Sequence, residues 1–473
     1  MLFNFIAIHP ATILVREEEQ AVLMFTLAYF LGISLGYKTS DKFSPALQQI
    51  LLPILFIIQI CMIIGLPDIA IILQKFWTFW MADGYEISNS TMIVTEIVTL
   101  ILLVICGTSV YAVFLPRIIQ SQKLSFKKFY SIEISGSLTG LLLIPIIGTF
   151  SHSLLLTAYF IIMLILYFSA GINRTVLVML TVIASFFIFQ FDYLDKKLST
   201  YYYQNKHNPY SYYKVEYIEY TPYHKIEVLL NKDLKRKLFL NGRIQFGENS
   251  HQSYSYYLSE YPASLLTFPN VCVLGCGSMS SVGRIGDLSE KIQIVDIDES
   301  VFNTSKKYFG KFNRLDELNN WQFQADDAKH YMANTTDRYD LILHDIPPAN
   351  TRQTALTYTR EFFSTVEQNL TEDGIFSISS LRSLRTEKTA YTKRLVATLT
   401  SIFDNYFILE MRNKIFFYGV TKDFSLPDKE SLIQAISFKK RKNINVLMKD
   451  EIDALVQGEE VITINNLRRL IYE

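Results

Sequence analysis

The stretch VCVLGCGSMSSVGRIGDLSEKIQIVDID, Val271 to Asp298, begins with a short apolar strand, Val271 to Leu274, that runs into a glycine turn at Gly275, Cys276 and Gly277. A second apolar strand, Ile292 to Val295, ends on Asp296 about 20 residues further on. Glycine lets a backbone turn tightly and pass close to a ligand, and an acid at the tip of the second strand can accept hydrogen bonds from both hydroxyls of a ribose. The spacing therefore predicts the start of a nucleotide-binding βαβ unit. Ser280 stands where the dinucleotide fingerprint has its third glycine, which argues against a pyrophosphate packed on the helix and leaves room for a nucleoside without phosphate. A βαβ turn that binds nothing is the plainer reading of the same residues.

Before this unit the composition changes. With 473 residues, 50% of them hydrophobic, and a mean hydropathy of +0.19, the chain is too long for one domain and too apolar for an ordinary soluble one. Nearly all the long apolar runs precede Asp192, and the remainder alternates and carries charge as an α/β domain does. The expected division is a helical transmembrane domain over 1–195, a tyrosine-rich linker and small β-meander over 196–260, and an α/β domain over 261–473. Stretches long enough to span about 30 Å of hydrocarbon are Ala21 to Tyr37, Leu47 to Leu66, Met92 to Leu115, Phe129 to Phe150, Leu154 to Phe168 and Thr175 to Phe191, six in all. Ile69 to Met81, with Trp77 and Trp80, suits an interfacial helix better than a seventh span, and Met1 to Val15 also reads as interfacial.

Charge and cysteine usage exclude several classes. A formal net charge of zero gives no support to a nucleic-acid partner. The four cysteines and seven histidines show no metal-ligand spacing, so no metal is expected. Glu96 and Glu133 fall near span ends, where a headgroup-level or helix-paired acid is a commoner explanation than a substrate path. The basic cluster Lys439 to Lys442 and the pair Arg468, Arg469 read as solvated helix faces before they read as headgroup contacts.

The connector TYYYQNKHNPYSYYKVEYIEYTPYHKIEVLL alternates from Tyr213 onward, as strands of a meander do. Its tyrosines suit stacking on a base or an amine, although such a stripe is more often one face of a sheet. The strand Lys237 to Leu240 then meets Asn241, Gly242, a strong hairpin signal.

Several ordered motifs resemble one family, the polyamine aminopropyltransferases of the spermidine synthase group, in the form fused to an N-terminal membrane domain. TPYHKIEV, LFLNGRIQF, VDIDESVFNTSKKYF, QADDAKHYM and YTREFF are similar to that family's successive motifs over about Tyr213 to Ser380. The resemblance implies a Rossmann-like, class I methyltransferase type of domain behind the membrane helices. It implies a cosubstrate, S-adenosylmethionine or its decarboxylated form, held by Gly275, Gly277 and Ser278, with Asp296 on the ribose, Asp326 on the adenine amino group and Gln245 on the tail. A carboxylate facing the adenine amino group selects adenine, because it accepts a proton that hypoxanthine lacks. Asp345 and Tyr254 become the catalytic pair, and Tyr223, His224 and Tyr358 fall in the acceptor pocket. A homodimer is compatible with the resemblance.

The departures fall on the acceptor side and on the aminopropyl tail. Ser278 replaces an acid that holds the aminopropyl ammonium, Pro348 replaces the second acid of the catalytic loop, and Ser255 and Tyr256 replace a polar pair beside Tyr254. A diamine dication needs several carboxylates, since each unpaired buried ammonium is costly. The expectation is therefore an alkyl transfer, aminopropyl or methyl, to an amine or a membrane-delivered acceptor, with the neutral Ser278 tilting the donor towards intact S-adenosylmethionine. A lyase or cyclising reaction that releases methylthioadenosine, and a non-catalytic nucleoside sensor or transport regulator, are the rival readings. The basic loop Arg117 to Lys128 should be cytoplasmic, which puts the C-terminal domain outside, whereas a cytosolic cosubstrate needs it inside. The cosubstrate is given the greater weight, so the expected location is a bacterial inner membrane with a cytoplasmic catalytic domain.

Overall fold

The computed structural model describes residues 18–81, 152–169, 171–206, 214–248, 252–275, 277–349, 351–380, 382–385, 390–411, 414–437 and 444–467, with scattered positions between 97 and 142. The chain divides into two compact units, Met1–Ile244 and Gln245–Glu473.

The long helices described in the first unit are Glu18–Thr39, Pro45–Met81, His152–Ser169 and Arg174–Lys206. Pro45–Met81 joins into one helix the span Leu47 to Leu66 and the segment Ile69 to Met81, which the sequence reading separates. Pro53 and Pro67 lie inside it. A proline removes one backbone bond and bends a helix, but it does not end one whose sides are packed. Arg174–Lys206 likewise continues through Asp192 to Lys206, which reads in sequence as connector. The buried residues there are Asp195, Ser199, Tyr202 and Tyr203. Their spacing is helical, but the face is polar and aromatic, so an apolar periodicity does not detect it. Met1 to Val15, Glu96, Glu133 and most of Met92 to Leu115 and Phe129 to Phe150 lie outside the described residues.

An edge-to-face series of rings, Phe56 on Phe160, Phe160 on Phe187 and Phe187 on Phe191, fills the helical core at centroid spacings of 5.3, 5.6 and 5.7 Å. Among the described residues two segments, Phe56–Leu73 and Arg174–Asn205, are long and apolar enough to cross a membrane. The second turns Val178, Val182, Phe186 and Phe189 outward. The unit also contains strands β1 (Lys214–Tyr220), β2 (Lys225–Leu230), β3 (Arg236–Leu240) and β4 (Arg243–Gly247), in sheet order β1-β2-β3-β4, and β4 carries the chain across the unit boundary. The β3–β4 turn is Asn241, Gly242, both at positive φ as a tight hairpin requires.

The second unit is a mixed sheet built of β5 (Asn270–Leu274), β6 (Lys291–Asp296), β7 (Trp321–Ala325), β8 (Tyr339–His344), β9 (Leu370–Ser380), β10 (Asn405–Met411), β11 (Lys414–Val420) and β12 (Ile444–Met448). Its order is β12-β10-β11-β9-β8-β5-β6-β7. β5 to β9 pair in parallel, and β11 enters antiparallel between β9 and β10. The interior strands are apolar on both faces because helices cover both, and Val271 to Leu274 and Leu341 to Leu343 are fully buried. Strand order reverses between β5 and β8. This switch point opens a crevice beyond the carboxyl ends of the strands, where such sheets hold ligands.

On the antiparallel side Phe403 stacks on Phe376 at 5.6 Å, and a Cβ added at Gly419 would lie 2.5 Å from the Phe403 ring. Gly419→Ala is expected to lower unfolding stability by about 1–3 kcal/mol, the usual cost of overpacking a filled core. Denaturant titration followed by circular dichroism measures it, and an unchanged midpoint would show that Phe403 can yield.

Candidate functional site

At the switch point the loops after β5 and β8 run against each other. Asp345 N donates to Leu274 O at 2.8 Å, and Gly275 N to Val295 O at 2.8 Å. Gly275 has φ +88, and a Cβ there would lie 2.5 Å from the Asp345 carbonyl oxygen, so only glycine fits. Gly277 also has positive φ, and nothing stands within 4 Å of where its Cβ would project. Two side chains clamp this turn from behind: Ser305 donates to Gly277 O at 2.5 Å and Asn313 to Ser278 O at 2.7 Å. Ser278 itself is buried. The glycine turn is thus held open on one side and fixed on the other.

The two acids assigned to the nucleoside sit together. Asp296 ends β6 opposite Ala325 at the end of β7, and Asp326 N donates to Asp296 O at 3.0 Å. Asp296 Oδ1 accepts from Asp298 N at 2.9 Å. Asp326 Oδ1 accepts from Asp327 N at 2.8 Å, and both its oxygens lie about 3 Å from His330 Nδ1, at 2.9 and 3.0 Å. His330 stands one helical turn after Asp326 and holds its carboxylate.

Asp345 ends β8, and its carboxylate is held from two sides: Tyr254 donates to Oδ1 at 3.1 Å and Ser281 to Oδ2 at 3.0 Å. Ser379, at the end of β9, donates to the Tyr254 hydroxyl at 3.2 Å. Asp345 is half-buried. Burial pushes its carboxyl up to about 7; the nearby Asp296 charge adds to this, and the Ser281 and Tyr254 hydrogen bonds oppose it. Burial first and the Asp345 charge second hold the Tyr254 hydroxyl well above the usual tyrosine range, so Tyr254 stays a hydrogen-bond donor. Lys414, at the start of β11, reaches over the Tyr254 ring at 5.9 Å.

Of the residues assigned from sequence, the structure gathers Gly275, Gly277, Ser278, Asp296, Asp326, Tyr254 and Asp345 at one end of the sheet. Gln245 lies half-buried in β4, at the start of the second unit. Tyr358, expected in the acceptor pocket, is buried, and its hydroxyl donates to Ile346 O and Pro347 O, both at 3.1 Å. It positions the loop that carries Asp345 and does not offer that hydroxyl to an acceptor. Tyr223 and His224 belong to the first unit, in the turn between β1 and β2; Tyr223 is exposed, and the His224 backbone bonds Thr221. Ser281, Ser379, His330 and Lys414 were not singled out in sequence, because nothing local marks a serine or a lysine as facing an acid from a distant element.

The mixed Rossmann-like sheet thus carries paired acids beside a glycine turn and a half-buried acid at its switch point. Residues 251–417, within the second unit, match the model of the spermine/spermidine synthase domain. Polyamine aminopropyltransferase 2 of Aquifex aeolicus is 28% identical over 169 residues, 34% of this chain and 34% of that protein. Polyamine aminopropyltransferase 1 of the same organism is 30% identical over 166 residues, 34% of this chain and 59% of that one. The chain thus spans less than two thirds of the length of these relatives. A crystal structure of spermidine synthase in complex with the transition-state analogue AdoDATO covers 54% of this chain and 88% of its own, with a TM-score of 0.42 and 18% identity.

Asp296→Ala and Asp326→Ala are each expected to weaken methylthioadenosine binding by about 1.5–3 kcal/mol, the worth of a hydrogen bond to a charged group. Calorimetry on the full chain measures it, and unchanged affinity in both variants would remove the nucleoside assignment.

Proposed function

We propose that the second unit transfers an aminopropyl group from decarboxylated S-adenosylmethionine to an amine. The observation that carries this reading is Asp345, held by Tyr254 and Ser281 at the switch point, with its carboxyl at about 7. In the proposed step the amine nitrogen attacks the carbon next to sulfonium, a C–N bond forms, the C–S bond breaks with its electrons going to sulfur, and methylthioadenosine leaves. The surplus ammonium proton passes to Asp345, whose basicity is matched to neutral pH. The matched domain spans Gly275 to Asp345 and its relatives are named for aminopropyl transfer, which favours the decarboxylated donor over the intact one that Ser278 alone suggested. These relatives lend methyl transfer no support.

Asp345 serves as base only when deprotonated, so with its carboxyl raised to about 7 the rate should climb as pH rises through about 7 and level off above it. Asp345→Asn should lower turnover by ~100-fold or more while leaving donor affinity nearly intact. The assay follows methylthioadenosine from the detergent-solubilised chain with decarboxylated donor and a panel of amines. Release without any amine would make the protein a lyase, and donor binding without turnover would make it a sensor.

We further propose that the first unit anchors the protein in a membrane with the second unit on the cytoplasmic side. The two long apolar segments and the outward row Val178, Val182, Phe186 and Phe189 support the anchor, and the cosubstrate's cytosolic origin supports the side. The chain should stay with the membrane fraction through an alkaline carbonate wash, and protease added to intact cells should leave its C-terminus whole. Release by the wash overturns the anchor, and digestion without lysis overturns the side.

A further inference from the structure

The tyrosine-rich connector leads to a second polar cluster, wholly inside the first unit. There Lys225 of β2 is buried with its ammonium 3.0 Å from Asp195 Oδ1, 2.9 Å from Ser199 Oγ and 3.3 Å from Glu227 Oε1. Tyr220 of β1 donates to Asp195 Oδ2 at 2.8 Å, Tyr203 donates to Glu227 Oε2, and the Lys225 ammonium lies 5.4 Å over the Tyr220 ring. Burial alone would discharge Lys225, but Asp195 and Glu227 more than offset it and hold the ammonium well above the usual lysine range.

The balance of this cluster is incomplete. Asp68, from the helix Pro45–Met81, brings a third carboxylate against the single ammonium and is only 4% exposed. Its Oδ1 has no hydrogen-bond partner, and Glu227 Oε1, on a residue 1% exposed, has none beyond its ion pair with Lys225. Both residues line a cavity of about 10 Å³ whose wall also includes Tyr202, Tyr203, Tyr220, Ser199 and Lys225. That volume holds one water-sized group. Asp68 Oδ1 and Glu227 Oε1 are both acceptors on residues of this wall, and three carboxyl groups stand around one lysine. A water would fill the space but leave the charge. A bare alkali ion would want more oxygen ligands than two carboxylates and three rings provide, whereas an ammonium has donors for the acceptors and suits the ring faces.

We propose that this cavity is a second ligand site of the protein, one that binds an ammonium group, either the free ion or the head of a slender primary amine. It lies apart in sequence from the nucleoside residues of the second unit and does not rest on the function proposed for them.

The test is calorimetry on the full chain in detergent with ammonium chloride, n-propylammonium chloride, tetramethylammonium chloride and sodium chloride at matched ionic strength. Ammonium should bind saturably, and Asp68→Asn should weaken it at least tenfold. Asp345→Asn should leave that binding unchanged, which separates this site from the transferase cleft. Tetramethylammonium is too large for the cavity, lacks N–H donors and should not bind. Binding of n-propylammonium as well shows that the cavity admits an amine head from outside; binding of ammonium alone shows that it takes only the free ion. The proposal is overturned if ammonium does not bind the wild-type chain, if sodium binds equally well, or if the loss follows Asp345→Asn and not Asp68→Asn. Because the first two of these outcomes are read on the wild-type protein, misfolding of a variant does not shield the proposal.

Discussion

Where β5 and β8 end, two loops touch with no room for a side chain between them. The Gly275 backbone lies so close to the Asp345 carbonyl that a single added carbon would clash, and the Asp345 amide is bonded to the end of β5. This contact sets the rest of the site. It fixes the backbone of the acid at the floor of the crevice, so its carboxylate meets Ser281 from the helix after the glycine turn and Tyr254 from the segment before β5. Tyr358 then ties down the continuation of the same loop through two carbonyls. A carboxylate held by hydrogen bonds from two chain segments has little freedom left to lose, which is what positioning for the proposed attack requires.

Electrostatics gives that rigid arrangement a direction. Burial, aided by the Asp296 charge, holds Asp345 near neutrality. On the proposed chemistry the incoming donor carries a sulfonium, and a positive charge beside a buried carboxyl favours its ionised form. Donor binding therefore shifts Asp345 towards the base it must be, while the empty cleft keeps it partly protonated and the folded protein avoids a fully charged acid in a poorly solvated place. The same residue is thus less costly to bury at rest and, on that chemistry, ionised when the donor is bound.

Much of this was legible in the sequence for a physical reason: strands and glycine turns are local. Val271 to Leu274, Ile292 to Val295, the Asn241, Gly242 turn and the acids Asp296, Asp326 and Asp345 all announce themselves within a few residues of their neighbours. What could not be read is whatever depends on a partner far along the chain. Ser281 and Ser379 are ordinary serines until the fold brings Asp345 and Tyr254 to them. Tyr358 sits in a family motif, yet only the fold shows its hydroxyl bonded to loop carbonyls. The helix through Asp195 and Tyr203 escaped because its buried face is polar, and hydropathy records what a side chain is and not what it is paired with.

The acceptor side follows from the same pairing logic. Ser255 and Tyr256 stand where the resemblance leads one to expect a polar pair, and both are buried. The chain at Tyr256–Glu260 forms a π turn, an irregularity common at functional sites, and the Tyr256 hydroxyl accepts from Ser437 N at 2.8 Å while Tyr261 donates to Leu432 O at 3.1 Å. These tyrosines hold the wall behind Tyr254 and contribute no charge to the cleft. On its other side Lys414 lies over the Tyr254 ring and adds a positive charge near the place an acceptor would enter. On the proposed chemistry a diamine would bring two ammonium groups to the cleft, and one brought near Lys414 would be repelled. On that chemistry an amine with a single charge, or one whose far end is neutral or anionic, would meet no such penalty, while Ser278 leaves the donor side without one acid that the resemblance leads one to expect.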